Sequence, residues 1–225
     1  TIQRADHDLR AVMRAADRDI VSLLPEINSI TERIQALNVE VRRQEAIAPA
    51  NDLRDAREQS LRDLSKLLDV SYFEDGSGSL VVMLRNGLPL VEGTSARALT
   101  TTSDATNAFD PSFSRVLWSD GSTTTDVTTR ISAGKLGGLL EARDTLAANA
   151  IRDLDVIAYN LMSSVNGVHA AGVGLGGTVG GFFATLTQVE DSARDLALHA
   201  NVVASTDAIA AGLGTDPLDN RNALA

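Results

Sequence analysis

Apolar residues recur through the first forty positions at Leu9, Met13, Ala16, Ile20, Leu23, Ile27, Ile30, Ile34, Leu37 and Val41. The steps alternate four and three without a slip, which places all of them on one face of an α-helix. A seam held this long is the pattern of coiled-coil packing. Charged residues fill the other faces, and Asp6 and Arg10 stand four apart in the favourable order. Pro25 falls inside the run, yet the apolar phase passes through it from Leu23 to Ile27. The spacing therefore predicts one continuous, kinked helix. Helix over residues 3–46 would be about 65 Å long at the usual rise.

Pro49 closes that pattern, and Asn51 is placed to cap a second helix. This helix carries Leu53, Ala56, Leu61, Leu64 and Leu67 or Leu68, with Glu58 and Arg62 paired on its outside. The short connection predicts an antiparallel partner for the first helix. From Val70 the character changes. VSYFED, LVVMLR and LPLVEG read as short strands, separated by GSGS and by Asn86-Gly87, a strong hairpin signal. RALTTTSDATNAFDPSFS reads as a polar loop, and RVLW, SDGS and TTTDVTT as a further hairpin. Helix resumes near Gly134. Leu136, Leu139, Leu146, Ala150, Leu154, Ile157, Leu161, Val165 and Val168 form one apolar stripe, expected to face the first helix. Asn166, Gly167 and the glycines from Gly172 to Gly181 end it. The pattern from Phe182 onward assigns no elements.

These elements make an α+β chain: long antiparallel helices in an elongated bundle, with a small β-rich insertion. The expected organisation is a rod of outgoing helices over 1–70, a β-rich insertion domain over 71–130 and a returning long helix over 131–172. A Gly-rich linker with a small irregular or β segment follows over 173–225.

Composition narrows the function classes. Of 225 residues, 44% are hydrophobic but only 4% are aromatic, which suits thin helical packing by Ala, Leu, Ile and Val. Twenty basic against thirty acidic residues give a net charge of −10. That balance disfavours nucleic acid and anionic membranes as partners. The absence of cysteine excludes disulfides, Cys zinc sites and a Cys nucleophile. No apolar run reaches the length of a membrane-spanning helix. Both ends of the chain read as interrupted elements, so a fragment of a longer protein is expected.

Candidate chemistry is thin. Gly172 to Gly177 spells GxGxxG, with Asp195 at a dinucleotide-site distance, but it follows a helix rather than a strand and is read as a flexible linker. His7, His169 and His199 have no second His at zinc-ligand spacing. His7 is expected to be solvated, His169 to sit near a helix end, and His199 to pair with Asp195 on a helix surface. Asp216, Asp219 and Asn220 lack EF-hand spacing and read as a turn. Asp75 and Asp120 are hairpin-turn residues. No catalytic, cofactor-binding or metal residue is assigned, and no cofactor.

A set of phrases in fixed order carries a resemblance. It runs through Ile27-Asn28-Ser29-Ile30 with Ile34-Gln35-Ala36-Leu37-Asn38, then Asn51 to Arg57, then LDVSYFEDGSGSLVVML and NGLPLVEG. The most specific phrase is Ser132 to Asp144, SAGKLGGLLEARD. Val165 to Gly172, Gly180-Gly181-Phe182-Phe183 and Asp219 to Ala223 follow at the expected distances. Together, over residues 20–225, these resemble the flagellar hook-associated protein 1 family. Pro25, Ala133 and Gly181 depart from its pattern. The resemblance implies a non-enzymatic axial component whose subunits form a ring-like zone between hook and filament. It implies export through the flagellar type III apparatus with a chaperone. The implied partners are hook protein, a second junction protein and further copies of the full-length chain, and the implied location is the extracellular flagellum. The terminal regions that form the family's inner core would be missing from this chain. Three other readings stay open: another flagellar axial protein, a coiled-coil adhesin or binding module with a β head, and an enzyme with a carboxylate site in the β-rich part. The adhesin reading predicts self-association through the Leu9–Val41 seam. The junction reading predicts that the seam is buried within one chain.

Overall fold

The structure, a computed structural model, describes residues 1–177, 180–213 and 220–224. The chain divides into two compact units, Val12–Leu146 and Thr1–Ala11 with Ala147–Ala225.

Helix α1 (Ile2–Glu45) runs 44 residues without a break and contains Pro25. Pro25 and Val21 are both exposed. The Val21 carbonyl that loses its donor can therefore be hydrated, and the helix continues. The seam is buried from Met13 to Val41, save that Leu37 is half-buried and Asn38 is fully buried beside it. Helix α2 (Asn51–Leu67) starts differently from the expectation. Its N-cap is Ala50, with no side-chain cap, and Asn51 is the first helical residue. Ala50 is buried, so packing rather than capping sets the start of α2. Its buried face is Arg57, Ser60, Leu61 and Leu64, while Ala56 is exposed. The Glu58–Arg62 pair forms.

Seven strands follow within the first unit. β1 (Val70–Glu74), β2 (Leu80–Leu84), β3 (Pro89–Glu92) and β4 (Ser95–Ala96) form an antiparallel sheet in that order. β5 (Ala98–Ser103), β6 (Ser114–Ser119) and β7 (Thr124–Asp126) form a second antiparallel sheet. The stretch read as a polar loop thus begins with a strand. Residues 98–103 pair with β6 through six residues in register, because β-branched threonines suit a pleated surface and Leu99 supplies the buried anchor. β2 is buried almost throughout, matching its unbroken LVVML run, whereas β6 alternates buried and half-buried positions. One apolar core joins Ile20 to Ile34 of α1, Leu61 to Leu68, both sheets, and Leu136 and Leu140 of α3 (Gly134–Glu141). Gly134 has φ +74°, and a Cβ there would lie 2.7 Å from the Leu68 nitrogen. One on Gly137 would lie 2.7 Å from the Ser132 carbonyl carbon. Two glycines of the SAGKLGGLLEARD phrase are therefore required by close backbone approach.

A π-helical turn (Ala142–Ala147) leads into α4 (Ala148–Ala170). In the second unit α4 buries Ala148, Ile151, Asp155, Ala158, Met162 and His169. The stripe read from the sequence is another face. Ile157, Leu161 and Val168 are 56%, 43% and 45% exposed, and Leu154 and Val165 are half-buried. Of that stripe, only its beginning, Leu136 and Leu140's neighbour Leu139, packs on the core shared with α1. Periodicity finds an amphipathic face but does not say which of two faces turns inward when one is built of alanines. β8 (Gly172–Val173) pairs with β9 (Gly212–Leu213). Phe183 and Leu198 form an isolated bridge, and α5 (Ser192–Asp195) and α6 (Ala200–Ala204) are short.

Candidate functional site

No enzyme-like constellation stands out among the described residues. What recurs is a polar side chain on a helix that binds a strand or loop backbone as another peptide would. In the first unit, Asn28 donates from Nδ2 to the Leu99 carbonyl and accepts the Leu99 N–H at Oδ1, both at 2.9 Å. Ten residues on, Asn38 donates to the Leu80 carbonyl at 2.8 Å and accepts the Leu80 N–H at 2.9 Å. Its Oδ1 also accepts from Arg57, which is 4% exposed and donates to the Gly78 carbonyl and to Glu74. Each asparagine thereby satisfies backbone groups that burial would otherwise leave unpaired.

Arg143, 2% exposed, ties a second junction. Its Nη1 donates to Asp17 and to the Ser114 carbonyl, and its Nε and Nη2 donate to Asp144. Asp17 also accepts the Ser114 N–H at 2.7 Å, and Phe113 lies under the guanidinium. Burial pulls the Arg143 pKa down, but the Asp144 and Asp17 carboxylates outweigh it and hold the proton more tightly than usual.

The second unit is fastened in the same manner. Asp155 accepts the N–H groups of Asp191 and Ala193 at 3.0 and 2.8 Å. Asn166 binds the Phe183 backbone at both its N–H and its carbonyl. Buried Asp6 receives Arg10, which also reaches Asp191 at 2.6 Å.

The singled-out residues fall as follows. His7 is exposed on α1. His169 lies in the last turn of α4, as expected, and is buried there: its Nε2 accepts the Ala210 N–H at 2.9 Å, and its Nδ1 therefore donates to the Gly180 carbonyl at 2.7 Å. Both nitrogens are used, so this imidazole has none left for a metal. His199 does not pair with Asp195. It caps α6 by accepting the Asn201 N–H, and Asp195 pairs with Arg194. The GxGxxG stretch is no loose linker at its start, since Gly172 lies in β8 and Gly174 packs on the Asp207 carbonyl where a Cβ would not fit. Asp216 and Asp219 lie outside the described residues, and Asn220 is exposed. Asp75 and Asp120 fold back on their own turns. The Ser77 hydroxyl and the N–H groups of Ser77 and Ser79 hold Asp75 below the usual carboxylate range, and the Thr123 and Ser122 N–H groups do the same for Asp120. Among the described residues no three His, Asp or Glu side chains group as metal ligands, and no helix is long and apolar enough to cross a membrane.

Residues 1–183 match the family described as the flagellar hook-associated protein FlgK helical domain. The chain belongs to the FlgK family. A FlgK relative, flagellar hook-associated protein 1 of Escherichia coli K12, is 28% identical over 221 residues, covering 94% of this chain and 39% of that protein. The Salmonella typhimurium protein of the same name is 26% identical, covering 89% of this chain and 38% of its own length. A solved structure, that of the flagellar hook junction protein FlgK from Burkholderia pseudomallei, superposes with a TM-score of 0.72 at 27% identity. It covers 82% of this chain and 34% of that one. The chain thus spans about two fifths of the length of the curated relatives it matches. Several of the clasps sit in the FlgK-like phrases, namely Asn28, Asn38, Arg57, Arg143 with Asp144, Asn166 and His169, whereas Asp17, Asp155 and the Asp6–Arg10 pair lie outside them. Periodicity alone missed them, because a buried Asn or Asp interrupts an apolar seam without declaring its partner.

Proposed function

We propose that this chain is the helical part of a hook–filament junction protein, a structural and non-enzymatic component of the bacterial flagellum. The observation that carries this reading is the match of residues 1–183 to the FlgK helical domain. The packing supports it. A subunit that passes torque must keep its elements from sliding, and bidentate side-chain clasps resist sliding better than apolar contacts, which are non-directional. The Met13–Val41 seam is buried within one chain, which leaves an adhesin stalk built on that seam without its interface. Export by the flagellar type III apparatus with a chaperone, assembly outside the cell, contact with hook protein and a second junction protein, and ring formation by the full-length protein complete the proposal.

The test is deletion of the full-length gene, followed by electron microscopy of the cells and an assay of the medium for flagellin. Bare hooks with flagellin lost to the medium, restored by the parent gene, are the expected result. Normal filaments and motility would overturn the proposal.

A further inference from the structure

The chain contains two Asn-Gly pairs, Asn86-Gly87 and Asn166-Gly167, whose glycines are both exposed but whose backbones differ, one at a hairpin tip and one within a helix. Glycine leaves the following amide nitrogen open to approach, because it carries no Cβ. Asn86-Gly87 forms the tip of the β2–β3 hairpin, and both residues are exposed. Gly87 has φ +86° and nothing within 4 Å of where a Cβ would stand. The Leu88 N–H donates to Asn86 Oδ1 at 3.2 Å. The Gly87 N–H is held by one bond, to the Leu84 carbonyl, at a tip where hairpins open most readily. Asn166, by contrast, has its amide bound at both ends to Phe183, and Gly167, though exposed, has its backbone fixed within α4, so the Gly167 nitrogen is not free to turn onto Asn166 Cγ.

We propose that Asn86-Gly87 is a site of spontaneous covalent modification and that the fold protects Asn166-Gly167 from the same chemistry. Solvent base removes the Gly87 amide proton, and the nitrogen attacks Asn86 Cγ. The new C–N bond closes a five-membered imide while the Cγ–Nδ2 bond breaks, and Nδ2 leaves as ammonia after taking a proton from water. Water then opens the imide at either carbonyl, giving aspartate or a β-linked isoaspartate. No electron transfer is involved. The isoaspartate product adds one methylene to the main chain ahead of Gly87, close to Leu88, which packs on the core, and Pro89, whose carbonyl receives the Trp118 indole N–H at 2.7 Å. A negative charge also arrives at the hairpin tip.

The experiment holds the intact folded chain in mildly alkaline buffer at physiological temperature and follows both pairs by peptide mass spectrometry with fragmentation that separates isoaspartate from aspartate. Conversion at Asn86 is expected to be at least about tenfold faster than at Asn166, with isoaspartate among the products. Asn86→Gln should abolish it. In concentrated urea the two pairs should convert at similar rates. Equal rates in the folded chain, no conversion at Asn86, or aspartate alone without isoaspartate would each overturn the proposal. So would continued protection of Asn166 in urea, because the fold would then not be the shield.

Discussion

The two compact units share polar clasps but differ in the apolar core that stands behind them. Val12–Leu146 encloses a continuous apolar core drawn from α1, α2, both sheets and α3. Thr1–Ala11 with Ala147–Ala225 buries mostly small side chains, among them Ala148, Ala158, Ala193, Ala208 and Ala210. Its fixed points are polar: Asp155, Asn166, His169 and the Asp6–Arg10–Asp191 bridge. Burial of an alanine stabilises far less than burial of an isoleucine, since stabilisation scales with the apolar area removed from water. The second unit must therefore obtain specificity from directional bonds. A unit built that way is sensitive to loss of single hydrogen-bonding groups, and one built on apolar area is sensitive to loss of volume or arrival of charge.

The largest expected effect is in the apolar unit. Ile30→Asp places an unpaired carboxylate in the core and should cost about 4 kcal/mol or more, enough to abolish its cooperative folding. A circular dichroism melt indistinguishable from the parent would remove the α1 seam from the core and break the comparison. Asn38→Leu comes next. It keeps the shape but strips partners from the Leu80 N–H, the Leu80 carbonyl and Arg57. Unsatisfied buried groups of this kind sum to about 2–4 kcal/mol. Chemical denaturation should show Asn38→Leu costing more than Ile34→Val, for which about 0.5–1.5 kcal/mol is usual. The reverse order would mean that the clasp contributes nothing beyond the space it fills.

The same contrast explains how much could be read from the residues. The apolar unit was legible because its helices and strands carry clean periods: the Met13–Val41 seam, the LVVML run and the Asn86-Gly87 turn all appear as expected. Its misread strand, residues 98–103, is threonine-rich, and threonine suits loop and strand alike until a partner strand decides. The second unit was poorly legible. The apolar stripe on α4 is conspicuous in the sequence, yet alanines, Asp155 and His169 take the inner face. No pattern in a single chain reports that Asp155 will meet the amides of Asp191 and Ala193, thirty-six and thirty-eight residues away. His169 does lie at the helix end, yet only its bond to Ala210 identifies it as a clasp.

Asp155→Asn sharpens the comparison on the polar side. The amide keeps one acceptor oxygen and replaces the other with a donor that faces a backbone N–H. A loss of about 1–2 kcal/mol is expected. Hydrogen exchange should localise it, with the Asp191 and Ala193 amides losing protection while the β6 amides keep theirs. Equal loss across both units would show that the polar clasps act on the whole chain rather than on their own unit.

The smallest effect concerns acid. Asp75 and Asp120 of the apolar unit accept turn hydrogen bonds, which hold both carboxyls below the ordinary aspartate value of 3.8. The folded state therefore binds the proton more weakly than the unfolded chain. The stabilisation these groups supply is complete above the ordinary value and is lost as pH falls through their lower folded values. Both residues are only half-buried and border solvent, so screening keeps the contribution small. The urea midpoint of the parent should decline as pH drops below that of an ordinary aspartate, and the double variant Asp75→Asn, Asp120→Asn should decline less steeply. Asparagine retains an acceptor for the turn but cannot titrate, so the variant separates the charge from the turn geometry. Parallel pH profiles for parent and variant would mean that acid acts through other carboxylates, and that these turns are held by geometry alone.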